Sequence, residues 1–233
     1  MLTTLALELA VIPGIILFIF VWRNDRIEKE PAKLLWILFF LGALTILSAM
    51  LIGMAGEYVV TMFMRDDTML FVLIDNFILT ALVEEGGKYF VLKKKTWKDP
   101  AFNYTYDAVM YAVTVSLGFA VAENILYVSM YGIGTAVVRA LTAVPSHVID
   151  GIFMGCYYGY AKKASAWGNK PAEKSNLRLA LIIPVLLHGF YDFCLSTGYD
   201  IFILIFWIFD ITMVILAYKR LKKMSADDTP IYY

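Results

Sequence analysis

The chain has 233 residues, of which 61% are hydrophobic, 15% aromatic and only 17% charged, and its formal net charge is zero. A soluble domain of this length does not carry such a composition, so the chain belongs in a bilayer. The basic residues lie in short loops suited to anionic lipid, and no nucleic-acid partner is expected.

Crossing a hydrocarbon core of about 30 Å takes about 20 helical residues. Apolar runs of that order fall at 5–22, 34–60, 69–92, 107–131, 135–160, 178–198 and 200–218. They predict an all-α polytopic bundle of about seven transmembrane helices, forming a single unit over residues 1–233. Strands of a barrel would alternate, and runs such as IFILIFWIFDITMVILAY do not. Arg23, Arg26, Lys29 and Lys33 follow the first run; Lys93, Lys94, Lys95 and Lys98 follow the third. Lys162, Lys163, Lys170, Lys174 and Arg178 follow the fifth, and Lys219, Arg220, Lys222 and Lys223 the seventh. The alternate side has Arg65 and Arg139, so the N-terminus is expected outside and the C-terminus in the cytoplasm. The first helix contains Glu8 and lacks a preceding basic region, which argues for a retained helix over a signal peptide. Cys156 and Cys194 lie within helices, without a CxxC pair, and read as packing residues.

Several helices carry groups that hydrocarbon does not tolerate without a reason. ALVEEGGKYF in the third run holds Glu84, Glu85 and Lys88, each costing roughly 2.5 to 3.5 kcal/mol at a helix centre on insertion scales. The spacings let Lys88 meet either glutamate, but one ammonium neutralises one carboxylate. Lys88 also lies near enough to the cytoplasmic end to snorkel away. Asp75 and Asn76 enter the same helix near its outer end, fitting either a wet cavity or the headgroup zone. In the fourth helix Phe119, Glu123 and Tyr127 share a face, with Asn124 adjacent. Both histidines are intramembrane: His147, with Gly151, Gly155 and Gly159 continuing its stripe, and His188, four residues before Asp192. Pro145 and Pro184 precede them and are expected to open the local backbone. Counting about 1.5 Å per residue from the outer helix ends places Asp192, Glu123, His188, His147 and Glu84 at depths of roughly 9 to 22 Å, one layer near the midplane.

At these residues the chain resembles the PrsW family of intramembrane proteases, within a wider group that includes the type II CAAX prenyl proteases and the APH subunit of γ-secretase. The likeness covers most of the chain. It includes D-x-x-E-x-E-P (Asp25, Glu28, Glu30, Pro31), E-E-x-x-K (Glu84, Glu85, Lys88), F-x-x-x-E-N (Phe119, Glu123, Asn124), the His147 helix and H-x-x-x-D (His188, Asp192). The resemblance implies an intramembrane endopeptidase of a bacterial cytoplasmic membrane. It would make the first, outward-side cut in a single-span substrate such as an anti-sigma factor.

The residues accord with that chemistry. Glu84 is assigned as general base on water and Glu85 as the partner of Lys88. His188, oriented by Asp192, is the candidate acid or oxyanion stabiliser, and His147, Glu123 and Asn124 complete the hydrogen-bonding wall, with Lys88 and Phe119 in support. The prenyl proteases have histidine where this chain has Glu123, so their division of roles does not transfer intact. No metal or other cofactor is expected. The alternative is zinc on Glu84, Glu123, His147 and His188, although H-E-x-x-H is absent. Buried Glu and His also suit a proton-coupled transporter, against which the lack of an inverted repeat counts, or a non-catalytic scaffold.

Overall fold

A computed structural model describes residues 4–232, and among these it is helical without strands; Tyr104 and Pro230 form an isolated antiparallel bridge. The helices are α1 Thr4–Asn24, α2 Ala32–Thr61, α3 Met69–Ile74, a π-helical segment Asp75–Ala81, α4 Leu82–Thr96, α5 Asp107–Tyr131, α6 Ile133–Leu141, α7 Ala143–Ala166, α8 Lys170–Ser196 and α9 Asp200–Ala226. Six stretches among the described residues are long and apolar enough to cross a membrane: Leu7–Asn24, α2, α5, Ile133–Ala166, α8 and α9. The chain is a polytopic membrane bundle.

Two of the expected helices differ in detail. The third, expected over 69–92, is helical from 69 to 96 but changes hydrogen-bond register through Asp75–Ala81. The fifth, expected over 135–160, is two helices broken at Thr142, whose φ is −122° and ψ −69°. The break has a local cause: Pro145 has no N–H for the carbonyl of Leu141, four residues earlier, so regular winding cannot pass through that turn. Pro145 itself sits in the first turn of α7, where a proline is tolerated. Gly132, at φ 84°, supplies the left-handed turn that separates α5 from α6.

α5 is the central post, packed against α1, α2, α4, α6 and α7. It is built of small and β-branched residues, and Asp107 to Val121 is buried without a gap, as a helix apolar on every side must be. Lipid is as apolar as a leucine, so close packing has to replace the hydrophobic drive between helices. Gly118 makes this possible, since a Cβ there would stand 2.0 Å from the carbonyl oxygen of Phe39 in α2. Gly155 does the same on the other flank, where a Cβ would meet Val109 Cα at 2.5 Å. The outward faces stay apolar, with Trp36, Phe40, Leu44, Leu47 and Leu51 of α2 exposed toward lipid. Cys156 and Cys194 are buried and unbridged.

The D-x-x-E-x-E-P stretch lies at the lysine-rich end of the bundle. Asp25 and Glu30 are buried there, and the hydroxyl of Tyr111 contacts Glu30 Oε2 while also reaching the carbonyl of Ala101 at 3.0 Å. Burial, with the carboxyl of Asp107 beside it, pushes Glu30 up to about 9. Burial likewise raises Asp25 to about 6, against the pull of the Lys29 ammonium.

Candidate active site

The π-helical segment is where the site begins. A π turn is rare and accumulates at functional sites, because the extra residue per turn rotates everything after it. Here it directly precedes Glu84 and Glu85 and is pressed against α8: Phe77 lies where a Cβ on Gly189 would fall, 2.5 Å from Cδ1. Asn76 is buried, donates to the carbonyl of Val72 at 2.7 Å and accepts from Ser196 Oγ at 3.1 Å. It ties the π segment to the end of α8. With this seam closed, α4 and α8 present Glu85 and His188 to each other.

Glu85 is fully buried and its Oε1 takes two donors, Lys88 Nζ at 2.6 Å and His188 Nδ1 at 2.9 Å. Lys88 does not snorkel. It is fully buried, and the same Nζ reaches His147 Nδ1 at 3.1 Å while standing 4.1 Å above the ring of Phe119. The reason is electrostatic: an ammonium held between a carboxylate, an imidazole nitrogen and an aromatic face replaces its hydration shell without leaving the bundle. Since an ammonium only donates, Nδ1 of His147 accepts, and its hydrogen sits on Nε2, which faces Glu123 Oε2 at 2.9 Å. His188 is disposed otherwise. Its Nδ1 faces Glu85 and its Nε2 faces Asp192 Oδ2 at 3.1 Å, so both nitrogens look at carboxylates.

Glu84 stands apart from its neighbour. Its Oε2 lies 3.9 Å from Lys88 Nζ and 3.7 Å from His188 Nε2, and this buried oxygen has no hydrogen-bond partner. The adjacent residues therefore differ: Glu85 is saturated at one oxygen, while Glu84 is free at a position facing the imidazole.

The structure brings Glu84, Glu85, Lys88, Phe119, Glu123, His147, His188 and Asp192 into one contact network. Asn124 borders it, accepting from Arg139 Nε at 3.2 Å and donating to the carbonyl of Ala10 at 3.1 Å. Two members were not picked out from the sequence. Arg139 reaches in from α6 to Glu123 Oε2 at 2.6 Å, and nothing in its local sequence marks it. Asp150 is buried on α7 with Oδ2 unpartnered and 3.9 Å from His188 Nδ1. A signal for it existed, since Asp150 lies three residues after His147 in an apolar helix.

A cation-binding set is also present, though not the one expected. Glu85, His147, Asp150 and His188 each offer a ligand atom within 4.8 Å of the others. Of the expected ligands, Glu123 is engaged instead by Arg139 and His147, and Glu84 lies outside the set. Two imidazoles with two carboxylates suit zinc and similar divalent ions. The unpartnered Glu85 Oε2 and Asp150 Oδ2 leave acceptor capacity for one.

Residues 30–218 match the profile of the PrsW family intramembrane metalloprotease. The chain belongs to the PrsW family. Protease PrsW of Oceanobacillus iheyensis is 37% identical over 94% of this chain and 95% of its own length. Protease PrsW of Bacillus subtilis is 35% identical over 79% of each chain, and that of Geobacillus kaustophilus 33% over 84% and 85%. No solved structure is significantly similar. As a PrsW-family member the chain is a peptidase and a multi-pass membrane protein, which sets aside the transporter and scaffold readings.

Proposed function

We propose that this peptidase cuts a single-span membrane protein, of the anti-sigma-factor kind, on the side of the membrane opposite the lysine-rich loops. That side is the outside if those loops are cytoplasmic. The observation that carries the reading is the free Glu84 Oε2, buried 3.7 Å from His188 Nε2. Glu84 takes the proton of a water, the water oxygen bonds to the carbonyl carbon of the scissile peptide, and His188, held by Asp192, delivers a proton to the departing amine. Lys88 and His188 together hold the carboxyl of Glu85 in place beside them.

The family description names a metal, and the residues fit one. Glu85, His147, Asp150 and His188 would hold it, and a divalent ion bound there would polarise the peptide carbonyl and acidify a water. Glu84, outside that set, stays the proton acceptor in either case. In this arrangement Lys88 already engages Glu85 and His147, and this favours catalysis by the protein groups. Reconstitution in vesicles with candidate single-span substrates tests the proposal, cleavage being read with wild type and Glu84→Gln. Equal rates would remove Glu84 from the reaction.

A further inference from the structure

We propose that Arg139 is a positioning residue for this peptidase: by holding Glu123 from α6 it fixes the ring direction of His147, in the tautomer that Lys88 requires. The proposal rests on the proteolytic reading of the site.

α6 is a nine-residue helix, too short to cross the membrane, bounded by the turn at Gly132 and the break at Thr142. Its other large side chains, among them Val137, Val138 and Leu141, are exposed and apolar, as lipid requires. Arg139 does the opposite of what a cation near a membrane surface normally does. Instead of snorkelling out, its side chain turns inward, with 15% left exposed.

Its seat is specified on three sides. Nη2 donates to Glu123 Oε2 at 2.6 Å, Nε donates to Asn124 Oδ1 at 3.2 Å, and the guanidinium lies 3.9 Å above the ring of Tyr127. The amide of Asn124 is itself oriented by the carbonyl of Ala10 in α1. A lysine could satisfy Glu123 but offers neither the planar fork nor the stack.

The oxygen that Arg139 holds is the one that His147 Nε2 faces. Lys88, whose other partner is Glu85, requires Nδ1 of His147 to accept, and a carboxylate oxygen fixed at Nε2 receives the hydrogen there and holds the ring in that direction. Arg139 thus touches no reacting atom, yet it defines one end of a chain of contacts that runs through Glu123, His147 and Lys88 to Glu85 and His188. Without it, Glu123 loses the donor that defines its rotamer, and His147 loses the contact that holds its ring with Nδ1 toward Lys88.

The test compares kcat and KM of wild type, Arg139→Met and Arg139→Lys in vesicles, with Glu85→Gln as the control for the site. It is joined to histidine nitrogen NMR on the wild-type protein. Arg139→Met is expected to lower kcat by about 100-fold with little change in KM, the size of loss that misplacing a catalytic constellation causes. Arg139→Lys, which keeps the charge on Glu123 but not the fork or the stack, should recover part of that loss. The wild-type spectrum should place the His147 hydrogen on Nε2. A residue that merely anchors α6 would change the thermal midpoint and leave kcat of the folded enzyme intact, and that result would overturn the proposal. So would a wild-type His147 with its hydrogen on Nδ1, a reading that needs no variant to fold. Wild-type cleavage by Glu85→Gln would instead remove the proteolytic reading of the site, a failure distinct from either of these.

Discussion

Glu84 and Glu85 are adjacent in sequence but have different company: Glu85 Oε1 holds two donors within 2.9 Å, and Glu84 Oε2 has none closer than the 3.7 Å of His188 Nε2. Successive helical residues point about 100 degrees apart, so a single partner such as Lys88 cannot serve both equally. Their substitutions should separate accordingly. Glu84→Gln is expected to abolish cleavage while leaving the thermal midpoint in detergent near that of wild type, since its amide keeps the volume and loses only the ability to take a proton. Glu85→Gln should abolish cleavage and also destabilise, because it leaves Lys88 buried and uncompensated, a loss of about 3 to 5 kcal/mol when a buried pair is broken. Turnover and unfolding measured on the same preparations check this, and equal midpoints for the two variants would contradict the assignment.

Activity is expected to survive strong chelation if the protein groups carry the reaction. Metal content and turnover, measured together before and after chelation, decide the point. Stoichiometric zinc that leaves with the activity and restores it on return would make Glu85, His147, Asp150 and His188 ligands. Under that outcome Lys88→Met should bind the ion more tightly than wild type, since the ammonium no longer occupies two of the four donors.

Orientation is open to a direct measurement. A cysteine introduced at Asp66, between α2 and α3, should react with an impermeant thiol reagent added outside intact cells, and one at Ala166, at the end of α7, should not. The reverse pattern would move the catalytic layer's nearer opening to the cytoplasmic side.

Glu30 predicts a pH dependence of stability. Its folded value is raised from 4.5 to about 9. Below pH 4.5 both folded and unfolded chains hold the proton, and the group has no effect. Above that, the unfolded chain releases it while the folded chain keeps it, so stability falls as pH rises toward 9. The thermal midpoint of wild type should therefore drop between pH 6 and pH 8.5. Glu30→Gln, which has no proton to lose, should drop less, and parallel curves would show that Glu30 is charged in the folded state.

The membrane class, most helix positions and the pairing of Lys88 with Glu85 were legible in the sequence, because each depends on composition or on spacings within one helix. His188 with Asp192 was legible for the same reason, and Asp150 beside His147 was within reach of it. The split between the two glutamates was foreseen in kind, but which partners they meet depends on the π segment, whose change of register leaves no apolar pattern behind. Arg139 was beyond sequence reasoning, since the break at Thr142, three residues before Pro145, and the turn at Gly132 decide where α6 lies and which way that side chain points. Lys88 shows the physical reason most clearly. Its local sequence permits it to snorkel or to turn inward. What favours the inward rotamer is the combination of Glu85 on its own helix, Phe119 on α5 and His147 on α7, residues that only the packing of three helices brings within reach of one ammonium.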